Sequence, residues 1–269
     1  MSGFSAEWLA LRESHDLRAR NQAVLDAVTT CLETCAGLRV VDLASGTGST
    51  LRALSRRLPS PQNWTLIDND SGLLTHALAS PLAENVAATV VPLDLNLGLE
   101  AALDRGVDLV ATSALLDLVS SSWLDRLATA LAARGTPLYA ALSYDGRIGF
   151  VPADPFDAAI VAAVNVHQLG NKGFGAALGP AAAAFAITRF EELGYSVKQG
   201  VSDWIIGTED RDMQSELLAG WASAARETGT IPPAEITAWL GRRRQAVTAG
   251  QSSLRVGHVD FFATPSTTR

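Results

Sequence analysis

The sequence predicts an α/β protein built on a doubly wound, mostly parallel sheet. Three observations carry that prediction. From residue 38 onward, short apolar runs alternate with segments of helical period, the signature of strand–helix–strand units with right-handed crossovers. The first run, Val40-Val41-Asp42-Leu43, passes through the tight turn Ala44-Ser45-Gly46-Thr47-Gly48 into a helix-like stretch with Leu51, Leu54 and Leu58. The chain has 269 residues, 48% of them hydrophobic, enough for one sizeable α/β domain with insertions.

Two helices, about 5–18 and 21–35, are expected to open the chain within residues 1–36. Strands are expected at 38–43, 63–68, 89–93, 107–112 and 136–144. Helices lie between them at 71–79, roughly 98–104, and 121–134. In the last, Trp123, Leu124, Leu127 and Leu131 share a face and Gly135 is the C-cap. A helix then runs from Pro180 to Gly194, with Pro at its first turn and Gly past its end. Two further strands are expected at 195–206 and 254–264. Residues 145–178 and 207–253 are insertions. The first carries a helix entered through Asp154-Pro155, with Phe156, Ile160, Val164 and His167 on one face. The second reads as two helices, marked by Met213, Leu217 and Trp221, then by Ile236, Leu240, Arg243 and Val247. No internal repeat or low-complexity linker divides the chain, so 1–269 is read as one domain.

Bulk charge narrows the partners. A net charge of −7 argues against broad nucleic-acid or anionic-membrane binding, which needs clustered positive charge. The basic run Arg242-Arg243-Arg244 reads as a solvated helix end. No apolar stretch is long enough to span a bilayer, and MSGFSAEWLALRESHD lacks the basic start and apolar core of a signal peptide. A cytoplasmic protein is expected. Cys31 and Cys35 share a helix face and read as buried small apolar residues; with no His cluster to complete them, no metal site is expected.

The turn after the first strand is the most informative stretch. Its glycines allow a ligand close to the backbone, and the amides of the following helix favour a carboxylate or other anion. No Gly-Lys-Ser/Thr follows, which excludes a P-loop. Leu51 stands where a dinucleotide fingerprint needs its third Gly. The pattern D-x-x-x-G-x-G instead resembles the cofactor loop of class I S-adenosylmethionine-dependent methyltransferases.

That resemblance implies a Rossmann-like methyltransferase fold, with seven strands and an antiparallel last one, the two insertions forming a helical lid, and S-adenosyl-L-methionine as cofactor. Ala44, Gly46 and Gly48 would run along the amino-acid and ribose portions. Asp42 would order the loop and attract the cofactor's ammonium. Asp68, with Asn69 beside it, would take the ribose diol. Asp70 or Ser71 would cap the next helix. Asp94 would accept from the adenine amine, and the Leu95 N–H would reach a ring nitrogen. Ser113, at the end of the fourth strand with Thr112, would face the sulfonium, and one of Arg12, Arg18 and Arg20 could pair with the cofactor carboxylate. Three acids at the ends of three consecutive strands fit the place where such sheets bind ligands.

Asp117, Tyr144 and His167 are the catalytic candidates. Tyr144 ends the fifth strand at the mouth; the other two have plain alternatives, Asp117 as an exposed polar residue between apolar neighbours and His167 as a packed histidine on an apolar stripe. Lys172, in the Gly-flanked turn Asn171–Gly175, is expected to meet an anionic group of a small-molecule substrate. Methyl transfer to oxygen or nitrogen is the function the resemblance implies. Two rivals remain at this stage: a non-catalytic binding protein on the same fold, and a nicotinamide-dependent oxidoreductase, which the chain's lack of a Tyr-x-x-x-Lys pair disfavours.

Overall fold

The computed structural model describes residues 4–79, 81–104 and 106–266. Two helices, α1 (Ala6–Ala19) and α2 (Gln22–Leu32), lead into β1 (Leu38–Leu43), α3 (Ser49–Leu54), β2 (Gln62–Asp68), α4 (Ser71–Ala79), β3 (Val86–Pro92), α5 (Leu95–Ala102) and β4 (Leu109–Ser113). A 3-10 turn at Leu116–Leu118 precedes α6 (Ser121–Arg134), β5 (Leu138–Val151), α7 (Asp157–Gln168) and α8 (Ala182–Glu192). The chain continues through β6 (Tyr195–Val201), β7 (Trp204–Ile206), α9 (Arg211–Thr228), α10 (Pro233–Thr248) and β8 (Ser253–Pro265).

One sheet runs in the order β3-β2-β1-β4-β5-β8-β6, with β7 also on β8. The first five strands pair in parallel, and β8 is antiparallel to β5, β6 and β7. Parallel strands covered on both faces read as continuous apolar runs, as Leu38–Leu43 does. One face buries Val24, Leu25 and Val28 of α2 with Leu51, Leu54 and Leu74 of α3 and α4. The other buries Leu99 of α5, Trp123 and Leu127 of α6 and Phe190 of α8. Fully burying each such side chain contributes about 1.5–3 kcal/mol. A third core joins α7, α9 and α10 to Tyr144, Trp204, Leu254 and Val256. No helix among the described residues is long and apolar enough to cross a membrane.

The structure departs from the sequence reading in several places. The fifth strand does not stop at residue 144. It bulges twice, between Ala140 and Ser143 and between Tyr144 and Ile148, and runs on to Val151 against Ser253 of β8. Asp145-Gly146 reads as a turn, but Gly146 takes φ 89° inside a bulge, which bends a strand without ending it. The strand expected at 195–206 is interrupted at Ser202-Asp203, where the Asp203 carboxylate turns to accept the His258 N–H at 3.1 Å. The basic run is no solvated helix end. Arg243 is 2% exposed, stacks on Phe150 at 4.4 Å and bonds Asp157, and Arg242 holds Asp154 at 2.6 Å. Cys31 is exposed and Cys35 half-buried, because α2 turns its buried face through Val24, Val28 and Leu32 instead.

Candidate cofactor and acceptor site

A cavity of about 600 Å³ opens at the carboxyl ends of β1, β2, β3 and β4. Ala44 and Gly46 line it from the first loop, Asp68 and Asn69 from the second, Asp94 and Leu95 from the third, and Ser113 from the fourth. Asp42 and Gly48 lie behind this wall. Asp42 is 0% exposed, and Gly48, at φ 81°, caps α3 from the far side of the turn.

The loop is held tightly. Gly46 takes φ 51°, and a Cβ there would stand 3.1 Å from Leu9 Cδ1 of α1. Ala44, Ala114 and Leu142 each take φ 53° without being glycine, and they follow or interrupt the adjacent strands β1, β4 and β5. Such conformations cost about 1–3 kcal/mol each and persist where surrounding structure enforces them, as at ligand sites. Arg52 of α3 donates to the Thr47 carbonyl at 2.7 Å and to Glu13 of α1 at 2.5 and 2.8 Å, pinning the first helix to the loop.

The strand-end acids are met by backbone amides. Asp68 Oδ2 accepts from Gly46 N at 2.9 Å, and Oδ1 from Asp70 N at 3.0 Å. Asp70 is the cap of α4, accepting from Gly72 N at 2.8 Å and Leu73 N at 3.2 Å. Asp94 Oδ1 caps α5 through Asn96 N at 2.8 Å, which starts that helix at Leu95, three residues before the position expected. A carboxylate keeps further lone pairs after one such bond, so Asp68 and Asp94 retain acceptor capacity toward the cavity they line.

Asp42 differs. Both of its carboxylate oxygens are buried without a hydrogen-bond partner. Burial pushes its pKa up to about 8; Arg20 and Arg52 oppose that rise and Asp68 adds to it.

The other half of the cavity is lined by Leu115, Leu118, Lys172 and Phe174, with Phe174 packed edge-on against Trp123 at 5.4 Å. Lys172 Nζ meets His167 Nδ1 at 3.4 Å. From α1 come Phe4, Leu9, Arg12 and Asp16. Arg12 grips Asp16 through Nε at 3.0 Å and Nη2 at 3.3 Å, and its guanidinium lies 4.9 Å from the Trp204 ring centroid.

The three catalytic candidates take different positions, and none lines the cavity. Asp117 is 6% exposed, so it is no exposed polar residue. Its Oδ1 has no partner, and burial raises its pKa to about 6, against the pull of Arg12 and Lys172. It sits between the lining residues Leu115 and Leu118, one layer behind the wall. Tyr144 is buried, donates to Asn165 Oδ1 at 2.7 Å, and is held far from ionisation by burial first and by Asp145 and Asp117 next. His167, a catalytic candidate on the apolar stripe of its helix, does not line the cavity. It lies at the edge of that stripe, where Nε2 meets Glu227 of α9 at 3.0 Å.

Of the α1 segment the sequence points to Arg12 but not to Phe4, Leu9 and Asp16, which line the cavity with it. Arg12, His15 and Asp16 are the buried residues of α1, so the face that meets the site is polar and invisible to apolar periodicity. The sequence reading also passed over His258, buried on β8 beside Tyr144 and Trp204, which burial drives down to a pKa of about 3.

No family model matches the sequence, and no curated protein matches it. Solved structures do. The cyclopropane-fatty-acyl-phospholipid synthase-like protein from Lactobacillus casei is similar with a TM-score of 0.51 at 14% identity, over 97% of this chain and 94% of that one. A SAM-dependent methyltransferase from Thiobacillus denitrificans, solved with S-adenosyl-L-homocysteine, gives 0.45 at 18% identity over 97% and 99%. Another from Geobacter sulfurreducens, also in complex with S-adenosyl-L-homocysteine, gives 0.47 at 16% identity over 98% and 100%. With its strand order, its antiparallel β8 and the first of these likenesses, the chain has the Rossmann-like methyltransferase fold.

Proposed function

We propose that the protein is an S-adenosyl-L-methionine-dependent methyltransferase acting on oxygen or nitrogen of a small, anionic molecule. The observation that carries this reading is one cavity with two unlike halves. One half gathers Asp68, Asp94 and the Gly46 loop from three strand ends; the other sets Lys172 against Leu115, Leu118 and Phe174. The donor and acceptor set of the first half suits the cofactor. Asp68 accepts from ribose hydroxyls, Asp94 and Leu95 meet the adenine edge, and Asp42 acts on the ammonium from beneath the loop. Arg12 keeps Nη1 for the cofactor carboxylate after Nε and Nη2 hold Asp16. When bound, the cofactor supplies an electrophilic methyl group on a sulfonium.

The chain's own work is alignment and proton removal. Leu115, Leu118 and Phe174 exclude water and orient the acceptor body, which matters because displacement at carbon is in line. Lys172 pairs with no carboxylate among the described residues, so it is available to an anionic group of the acceptor. Asp117, a layer behind the wall with its pKa raised to about 6, is the group assigned as base, acting through one bridging water on an acceptor that must lose a proton at neutral pH. Tyr144 and Asn165 stiffen the wall behind it.

Calorimetry with S-adenosyl-L-homocysteine and with NAD tests the cofactor. Binding of the first and not the second is expected, and the reverse overturns the reading. Incubation with methyl-labelled cofactor and a metabolite panel, read by mass spectrometry, tests catalysis. Tight cofactor binding with no labelled product from any acceptor would favour a binding protein on this fold.

A further inference from the structure

Asp42, Ala111 and Tyr139 stand side by side on β1, β4 and β5, as the register pairs Asp42 with Ala111 and Ala111 with Tyr139. Registered partners in a parallel sheet point to one face, here the face covered by α2 and α3, where Ala111 and Tyr139 pack. Ala111 is the small member of the row. Arg20, at the end of α1, lies on this face. Its Nη1 donates to the Tyr139 hydroxyl at 3.1 Å, and its guanidinium carbon stands 5.8 Å from the Tyr139 ring centroid.

Arg20 is 3% exposed, and its Nε and Nη2 have no partner. Both oxygens of Asp42 lack partners as well. Among the described residues no carboxylate lies within 4.0 Å of the Arg20 guanidinium. A buried charge without a direct partner is costly, and an uncompensated buried carboxylate takes up a proton instead. The other buried acid of the region, Asp260, is better supplied. It accepts from Leu142 N at 2.8 Å, from Asn21 N at 2.9 Å and from the Tyr139 hydroxyl at 3.5 Å. Burial raises the pKa of Asp260 as well, but these donors hold its oxygens, whereas Asp42 has none and is the acid with both oxygens left open.

We propose that Arg20 is a positioning residue for the cofactor: across Ala111 it governs Asp42, which holds a proton in the empty site and releases it to solvent when the cofactor's ammonium docks above the loop. This rests on the reading of Asp42 as the acid serving that ammonium. The groups facing Asp42 are Arg20 from the end of α1, Asp68 from β2, and Arg52 and Thr50 from α3. Of these, Arg20 is the cation with unsatisfied donors; Arg52 is spent on Thr47 and Glu13. The proton balance is simple. The Asp42 O–H bond breaks, the proton passes to buffer, and the carboxylate left behind faces one added positive charge.

The test is calorimetric titration of the full-length protein with S-adenosyl-L-homocysteine, in buffers of different ionisation enthalpy, over about pH 6 to 8.5. The wild type is expected to release a proton on binding and to gain affinity as pH rises. Asp42→Asn should bind more weakly, with a flat pH profile and no release. Arg20→Met should move the affinity midpoint to higher pH, and Arg20→Lys should return it toward the wild type. Should Arg20→Met fail to fold, Arg20→Gln, whose amide still reaches the Tyr139 hydroxyl, takes its place. A wild type that binds without proton release, or a folded Arg20 variant with an unmoved midpoint, overturns this inference and leaves the cofactor reading intact. A wild type that does not bind the probe removes the cofactor reading and this inference with it.

Discussion

The cofactor half of the site and the region of α7, α10 and β8 outside the cavity hold their carboxylates by different means. On the cofactor side, Asp68, Asp70 and Asp94 are each met by backbone amides a few residues away or on the neighbouring loop. In the second region the acids add side-chain partners from distant segments to their backbone amides. Asp154 takes Arg242 at 2.6 Å, Asp157 takes Trp239 Nε1 at 2.9 Å and Arg243, and Asp203 takes Arg255 at 2.5 Å and Arg147 at 2.9 Å. Amide-held acids come with the local backbone and keep their geometry as long as the strand ends do. Side-chain pairs exist only once the helices have packed. The first region should therefore fail by losing a ligand, the second by losing its shape.

The largest effect is expected from Asp117→Asn. Loss of a general base lowers kcat by about 10²–10⁴-fold. S-adenosyl-L-homocysteine affinity should stay unchanged. Wild-type kcat should fall as pH drops through about 6, where Asp117 takes up its proton, and the variant should lose that limb. His167→Ala, at the Glu227 contact outside the cavity, should leave turnover nearly intact. A large kcat loss there, with Asp117→Asn silent, would exchange their roles.

Arg243→Ala sharpens the contrast from the α7–α10 region. It leaves the Asp157 carboxylate with Trp239 Nε1 and the Asp154 amide but without its ion-pair partner, and removing one partner of a buried pair costs about 3–5 kcal/mol. Thermal unfolding should show that loss, while cofactor affinity per folded molecule holds. Asp68→Ala is the mirror experiment. Loss of charge-assisted hydrogen bonds of about 1.5–3 kcal/mol weakens cofactor binding roughly ten- to a hundredfold. Unchanged affinity in a folded variant would leave Asp68 with its amide contacts alone.

The two regions also carry opposite pH signatures. Asp42 has a raised folded pKa, so its stabilising share is present at low pH and is lost as pH climbs toward about 8. His258 has a lowered one, so its share is present above the usual histidine range and is lost as pH falls toward about 3. Melting curves of the ligand-free protein should rise on the alkaline side with Asp42→Asn and on the acid side with His258→Gln. A single variant that moves both limbs would merge the two regions. The smallest effect is expected from Lys172→Ala, a rise of several-fold in KM for an anionic acceptor with kcat nearly constant.

The same contrast explains what could be read along the chain. Helices 71–79 and 121–134 have the boundaries the sequence predicts, because Asp70, Ser120 and Gly135 mark their ends within one turn. The acid-bearing strand ends and the Gly turn are likewise written in consecutive residues. The wall supplied by α1 is not, since Arg12 and Asp16 are buried through polar contacts with Trp204 and each other. Nor is the role of Arg243, whose partner lies 86 positions away. The extension of β5 was hidden by Asp145-Gly146, a dipeptide that suits a bulge as well as a turn.

The contact of Leu9 on Gly46, with the Glu13–Arg52 bridge beside it, makes the protein's first helix the roof of the cofactor half. On the proposed function, a ligand beneath that roof would leave only when the 14-residue helix lifts, so its dwell time would follow the helix as well as the loop contacts. Trimming or anchoring that helix would change how long the spent cofactor stays, and with it the pace of successive turnovers, without touching an atom that meets the transferred group.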